Sequence, residues 1–176
     1  MIFKENFLKK ESRERAFSLI ETFIAITILV MAITGPITLI SQSLSSAKTV
    51  KGRVTSIYLA QEVFEYVRNV RDCNILDGLG WLDGLDPCLI SGQKCKIDSP
   101  AQSIDACSLS GCEYLKYNPI SYLYNYDSGD TSLFKREIEI TEIKPGKEIK
   151  ISVDVFWNEG PRLNQFSVES YLLNWQ

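Results

Sequence analysis

Hydrophobic and polar positions along this chain follow three regimes in turn. Residues 17–40 read FSLIETFIAITILVMAITGPITLI, an apolar run holding one charge, Glu21, and no further charge follows before Lys48. At about 1.5 Å per residue these 24 residues make roughly 36 Å of helix, enough to cross a hydrocarbon core of about 30 Å with some tilt. A soluble core helix of that length shows a polar face, whereas the polar positions here are scattered Thr and Ser. The run is expected to span a membrane.

Beyond it, Leu44, Ala47, Val50, Val54, Ile57, Gln61, Phe64 and Val67 recur at spacings of three and four. Lys48, Lys51, Arg53, Glu62, Glu65 and Arg68 fall mostly on the other face, so the helix is expected to continue as an amphipathic one through residues 41–71. As a single helix, residues 17–71 would run to about 80 Å. Gly35 and Pro36 interrupt the membrane half. Pro36 removes one helix hydrogen bond and crowds the preceding turn, so a kink or local melting is expected there.

After Thr131 the period becomes two. Phe134, Arg136, Ile138 and Ile140 alternate with Lys135, Glu137, Glu139 and Thr141. Ile149, Ile151, Val153, Val155 and Trp157 alternate with Lys150, Ser152, Asp154 and Phe156, and a third strand runs over residues 165–174. Turn chemistry at Lys144-Pro145-Gly146-Lys147 and at Asn158-Glu159-Gly160-Pro161 separates them. The pattern predicts an antiparallel meander with one buried face, laid on the helix stripe from Val54 to Val67. The expected fold class is α+β: a long N-terminal α-helix, membrane-spanning in its first half, packed on a C-terminal antiparallel β-sheet.

Between helix and sheet, residues 72–131 show no sustained periodicity and are expected to be a variable loop of turns and short pieces. They hold all five cysteines: Cys73, Cys88, Cys95, Cys107 and Cys112. Five cysteines form two bridges in fifteen ways (five choices of the odd one, three pairings of the rest), and sequence does not choose among them. The arrangement carried forward pairs Cys88 with Cys95 and Cys107 with Cys112, leaving Cys73 unpaired. The absence of any Cys-x-x-Cys or His argues against structural zinc. The Asp/Gly clusters read as turns; a calcium set drawn from Asp83, Asp86, Asp127 or Asp130 is the alternative, although no twelve-residue EF-hand pattern is present. Tyr114, Tyr117, Tyr122, Tyr124 and Tyr126 form a tyrosine-rich stretch, read first as packing and second as an adhesive surface.

Charge narrows the function. Nineteen basic against 22 acidic side chains give a net of -3, which argues against nucleic acid as a partner. With no histidine, His-based acid–base catalysis, Ser-His-Asp and Cys-His pairs are excluded. No spacing singles out a carboxylate pair or an activated cysteine, so no enzymatic role and no cofactor are expected. Residues 1–16 carry five basic side chains (Lys4, Lys9, Lys10, Arg13, Arg15) against three acidic ones, which favours a cytoplasmic N-terminus. No small-residue cleavage site closes the apolar run, so the chain is expected to stay in the membrane.

Glu21 is the costly residue: a carboxylate alone at the bilayer centre costs on the order of 2.5–3.5 kcal/mol, and less near an interface. Either it snorkels to the cytoplasmic surface or it meets a cation from another copy. Around it, Arg13-Glu14-Arg15-Ala16-Phe17-Ser18-Leu19-Ile20-Glu21 resembles the class III signal of type IV prepilins. The resemblance covers about the first forty residues, with Ala16 where the family usually has Gly. It implies cleavage between Ala16 and Phe17, N-methylation of Phe17, and pairing of Glu21 with the freed amine of a neighbouring subunit. A basic leader (1–16), two helix halves, a variable loop (72–131) and a sheet (132–176) also follow the pilin order. The run from Tyr58 to Asp72 resembles one common in minor-pilin-like proteins.

By that resemblance the chain is expected to be a minor pilin of a type IV pilus or related filament. A pseudopilin of a type II secretion system and an uncleaved membrane-anchored extracytoplasmic binding domain are the alternatives. Implied partners are other pilin or pseudopilin subunits, a prepilin peptidase/methylase and a membrane assembly platform. The implied location is the cytoplasmic membrane, single-pass, then an extracellular filament.

Overall fold

A computed structural model describes residues 18–174; the leader (1–16), with Ala16, and Phe17 after it lie outside the described residues. The chain divides into two compact units, the first ending at Ser46 and the second starting at Ala47. The first helix, α1 (Leu19–Leu76), contributes to both.

In the first unit the described side chains are exposed from Ser18 to Ser46, apart from half-buried Thr27. The apolar segment of α1 is long and apolar enough to cross a membrane, and none of its described residues is buried within the chain. Its four threonines deal with their own hydroxyls. Thr22, Thr27, Thr34 and Thr38 each donate to the carbonyl three residues back, at 2.7 to 3.2 Å. In hydrocarbon, where no water is present to accept, such back-bonding keeps a hydroxyl tolerable. The helix is unbroken through Gly35 and Pro36, so of the two outcomes expected there, local melting does not occur. The missing Pro36 N–H leaves the Ala32 carbonyl without its usual donor.

The second unit packs the rest of α1, a one-turn helix α2 (Asp86–Leu89) and a seven-stranded sheet. Its strands are β1 (Cys95–Asp98), β2 (Ser103–Ala106), β3 (Tyr114–Asn118), β4 (Leu123–Asn125), β5 (Asp130–Lys144), β6 (Glu148–Glu159) and β7 (Arg162–Leu173). All pairings are antiparallel, and β5 is the branch point. One edge of β5 takes β6, which takes β7; the other edge is shared by β3 and β1, which in turn carry β4 and β2. The three long strands are those expected from the period-two pattern. The short pieces expected within residues 72–131 are four more strands of the same sheet and α2. Those strands are three to five residues long, too short for alternation to announce them.

Register sets the core. Phe134, Arg136, Ile138 and Ile140 stand opposite Trp157, Val155, Val153 and Ile151, and all eight are buried. Against this face α1 presents Ser56, Leu59, Ala60, Val63 and Val67. The expected stripe is therefore rotated: Val50 and Val54 are exposed, Ile57 and Phe64 only half-buried. Small Ser56 and Ala60 let the helix backbone approach the sheet, and close approach decides which face is buried.

Candidate functional site

Two regions hold the residues singled out by the sequence: the exposed half of α1 and the cysteine-bearing cap. Glu21 lies in the first turn of α1, where the N–H groups of Glu21 and Thr22 close on the Ser18 carbonyl at 3.0 and 3.2 Å. A carboxylate there complements the unpaired N–H groups and positive end of the helix. Glu21 is exposed, and among the described residues it has no ion-pair partner. Around it Leu19, Ile20, Phe23 and Ile24 are exposed as well. Such a surface is compatible with a single-pass membrane anchor and carries one anion near its end. Gly35 has open space around it, so neither a ligand nor a neighbouring element explains it within the chain.

At the cap the structure joins Cys88 to Cys95 and Cys107 to Cys112, and leaves Cys73 as an exposed thiol. The first bridge is fully buried and fastens α2 to β1 where Cys95 pairs with Ile138 of β5. The second closes the turn between Cys107 and Cys112, spanned by the Ser108–Gly111 bridge. The four aspartates do not assemble into a calcium set: among the described residues no three Cys, Asp or Glu side chains are placed so that they could hold a metal ion. Asp83 instead accepts from the Gly80 N–H at 2.8 Å, Asp86 starts α2, and Asp130 starts β5, paired with Tyr117. Asp127 sits in the β4–β5 turn, its N–H held by Asn125 Oδ1. Asp83 and Asp127 are turn residues, and Asp86 and Asp130 are the first residues of regular elements.

The group the sequence reading passed over is Arg136. The period-two pattern puts it on the apolar face of its strand, and it is 1 % exposed there. Its Nη1 donates to the Leu59 carbonyl of α1 at 2.7 Å and reaches Glu62 Oε2 at 3.3 Å, while Nη2 donates to the Ile97 carbonyl of β1 at 2.6 Å. One guanidinium thus ties helix, β1 and β5 together. The pairing is affordable because Glu62 is still partly hydrated and two backbone carbonyls accept from the guanidinium, whose Nε is buried without a hydrogen-bond partner among the described residues. An Arg among Ile residues on an alternating strand was the available signal. Beside it, Asp98 is buried and accepts from the N–H groups of Ala101 and Tyr126.

Shifted ionisations follow packing. Burial pushes the Tyr126 phenol above its ordinary value of 10.0; the nearby Arg136 pulls it down, and Asp98 and Glu62 push it up. Burial also raises Tyr124 and Tyr66, with smaller upward contributions from Tyr117 and Asp98 respectively. Lys94 is lowered by burial, but its hydrogen bond to Glu139 and the charges of Glu139, Asp154 and Glu137 carry it upward overall. None of these pairs a nucleophile with a base. Comparison with protein-family models, with curated proteins and with solved structures returns no match.

Proposed function

We propose that this chain is a non-enzymatic structural subunit of a type IV pilus or related filament, held in the membrane and then in the polymer by the first half of α1. One observation carries the reading: the apolar surface of residues 18–46 is left bare by the rest of the chain, with a lone carboxylate, Glu21, in its first turn. Lipid covers that surface in a monomer, and neighbouring helices cover it in a bundle. A carboxylate in such surroundings is tolerable chiefly when paired. Cleavage before Phe17 creates an α-amino cation four residues from Glu21, and the amine of one subunit is the partner proposed for Glu21 of the next.

The experiment is the intact mass and N-terminal peptide map of the protein from its native membrane, without reduction. A chain beginning at N-methyl-Phe17 is the expected result. Recovery of residues 1–16 on every molecule would overturn the prepilin reading and leave an anchored domain. Replacing Glu21 with Ala is expected to abolish filament incorporation while leaving membrane insertion intact. Normal incorporation of that variant sinks the pairing.

A further inference from the structure

A cleft of about 520 Å³ opens on the second unit where α1 passes the β3–β4 turn. Three tyrosines from three different elements wall it: Tyr58 of α1, Tyr122 of the turn and Tyr124 of β4. Its helix side is made by Thr55 and Leu59 and ends at Glu62, the one charged side chain among the described lining residues. Thr55, Tyr58 and Glu62 follow at helical spacing and so share a face of α1.

Each wall is held in place differently. Tyr124 is fixed from behind, its ring 5.2 Å from that of Tyr117 and 5.7 Å, edge-on, from that of Phe134. Tyr122 sits at φ 60°, in the left-handed region that a bulky residue rarely adopts. The turn enforces this: Asn118 Oδ1 accepts from Ile120 and Ser121 N–H, and Tyr122 N–H donates to the Asn118 carbonyl at 2.8 Å. Glycine would occupy that position without strain, yet a tyrosine stands there, 74 % exposed. Tyr58 is 67 % exposed and packs little of its ring. Core packing therefore explains Tyr124 but neither Tyr58 nor Tyr122. Glu62 spends one oxygen on the long 3.3 Å contact with Arg136, and its carboxylate borders the cleft.

We propose that Tyr58, Tyr122, Tyr124 and Glu62 form a binding site for an organic cation, a quaternary ammonium or methylated amine. Ring faces attract such a cation through their quadrupoles, and the carboxylate adds its charge. The chemistry disfavours the other occupants. A metal ion needs several oxygen ligands, and only one carboxylate borders the cleft. An anion would meet Glu62 with no Lys or Arg among the described lining residues. A sugar needs several convergent hydrogen-bonding groups, whereas this lining is mostly apolar and aromatic.

The test uses the full chain in a non-ionic maltoside micelle, with tyrosine rings carbon-labelled for NMR. Choline chloride is titrated against sodium chloride at equal ionic strength, and against 3,3-dimethylbutan-1-ol, the neutral isostere of choline. Saturable shifts at Tyr58, Tyr122 and Tyr124 near millimolar choline are expected, with the isostere roughly tenfold weaker. Glu62→Gln is expected to weaken choline roughly tenfold, and Tyr58→Leu at least about fivefold. Tyr122→Gly is the decisive variant: it relieves the left-handed strain, so it should melt no lower than the parent while losing choline affinity. Equal affinity for choline and its isostere, absence of saturation, or a Tyr122→Gly protein that binds as the parent does would each overturn the site.

Discussion

Arg136 concentrates at one residue the difference between a stabilising contact and a specifying one. Its guanidinium satisfies carbonyls on α1 and β1 that are otherwise buried against apolar neighbours. Arg136→Met keeps the volume and removes the donors, and is expected to cost about 2–3 kcal/mol in urea unfolding. Gly52 is the second such residue. A methyl there would overlap the buried indole Nε1 of Trp157, whereas at Gly35 it would meet nothing. Gly52→Ala is expected to destabilise by about 1–3 kcal/mol despite its better helix propensity, while Gly35→Ala leaves the melting temperature of the second unit unchanged. Neither role was legible beforehand. The partners lie 77 residues away in sequence for Arg136 and Leu59 and 105 for Gly52 and Trp157, and a pattern read in a short window contains no such information.

At the scale of elements, the long pieces announced themselves and the short ones did not. β5, β6 and β7 are each twelve residues or longer, and their central stretches alternate, which local sequence carries by itself. β1 to β4 exist because β5 offers a second edge for them to pair with. The Cys88–Cys95 bridge belongs to this scale, since it fastens α2 to that added part of the sheet. Replacing both cysteines by Ser is expected to lower stability by about 2–3 kcal/mol, by the loop-entropy argument, read by chemical denaturation. The tyrosines of β4 and its flank set the alkaline limit. Because Tyr124 and Tyr126 are raised, the folded state holds their protons more tightly than the unfolded chain does. Their contribution is fully present below the ordinary value of 10.0 and is lost as pH rises through the higher folded value. Lys94 acts in the same direction. Melting temperatures are therefore expected to be level from about pH 8 to about pH 10 and to fall above it, and Tyr126→Phe should flatten that fall.

At the scale of the whole molecule, all of the α1 residues in the core come at or after Ser56, and no described residue of the first unit is buried. Removing residues 1–46 is thus expected to yield a water-soluble protein with the circular dichroism and melting temperature of the second unit in the full chain. Aggregation or loss of cooperative melting would show that the core depends on the membrane half. The apolar run, the continuous helix after it, the period-two strands and the lone charge of Glu21 were determined by the sequence alone. Length, periodicity and lone charge are properties of neighbouring residues, and no folding is needed to evaluate them. Which helix face is buried, which cysteines meet, where Arg136 finds its acceptors, and how Tyr58, Tyr122 and Tyr124 come to wall one cleft were decided only by tertiary structure. Each depends on the distance between residues far apart in the chain, and that distance is fixed by packing and strand pairing once the sheet has closed over α1.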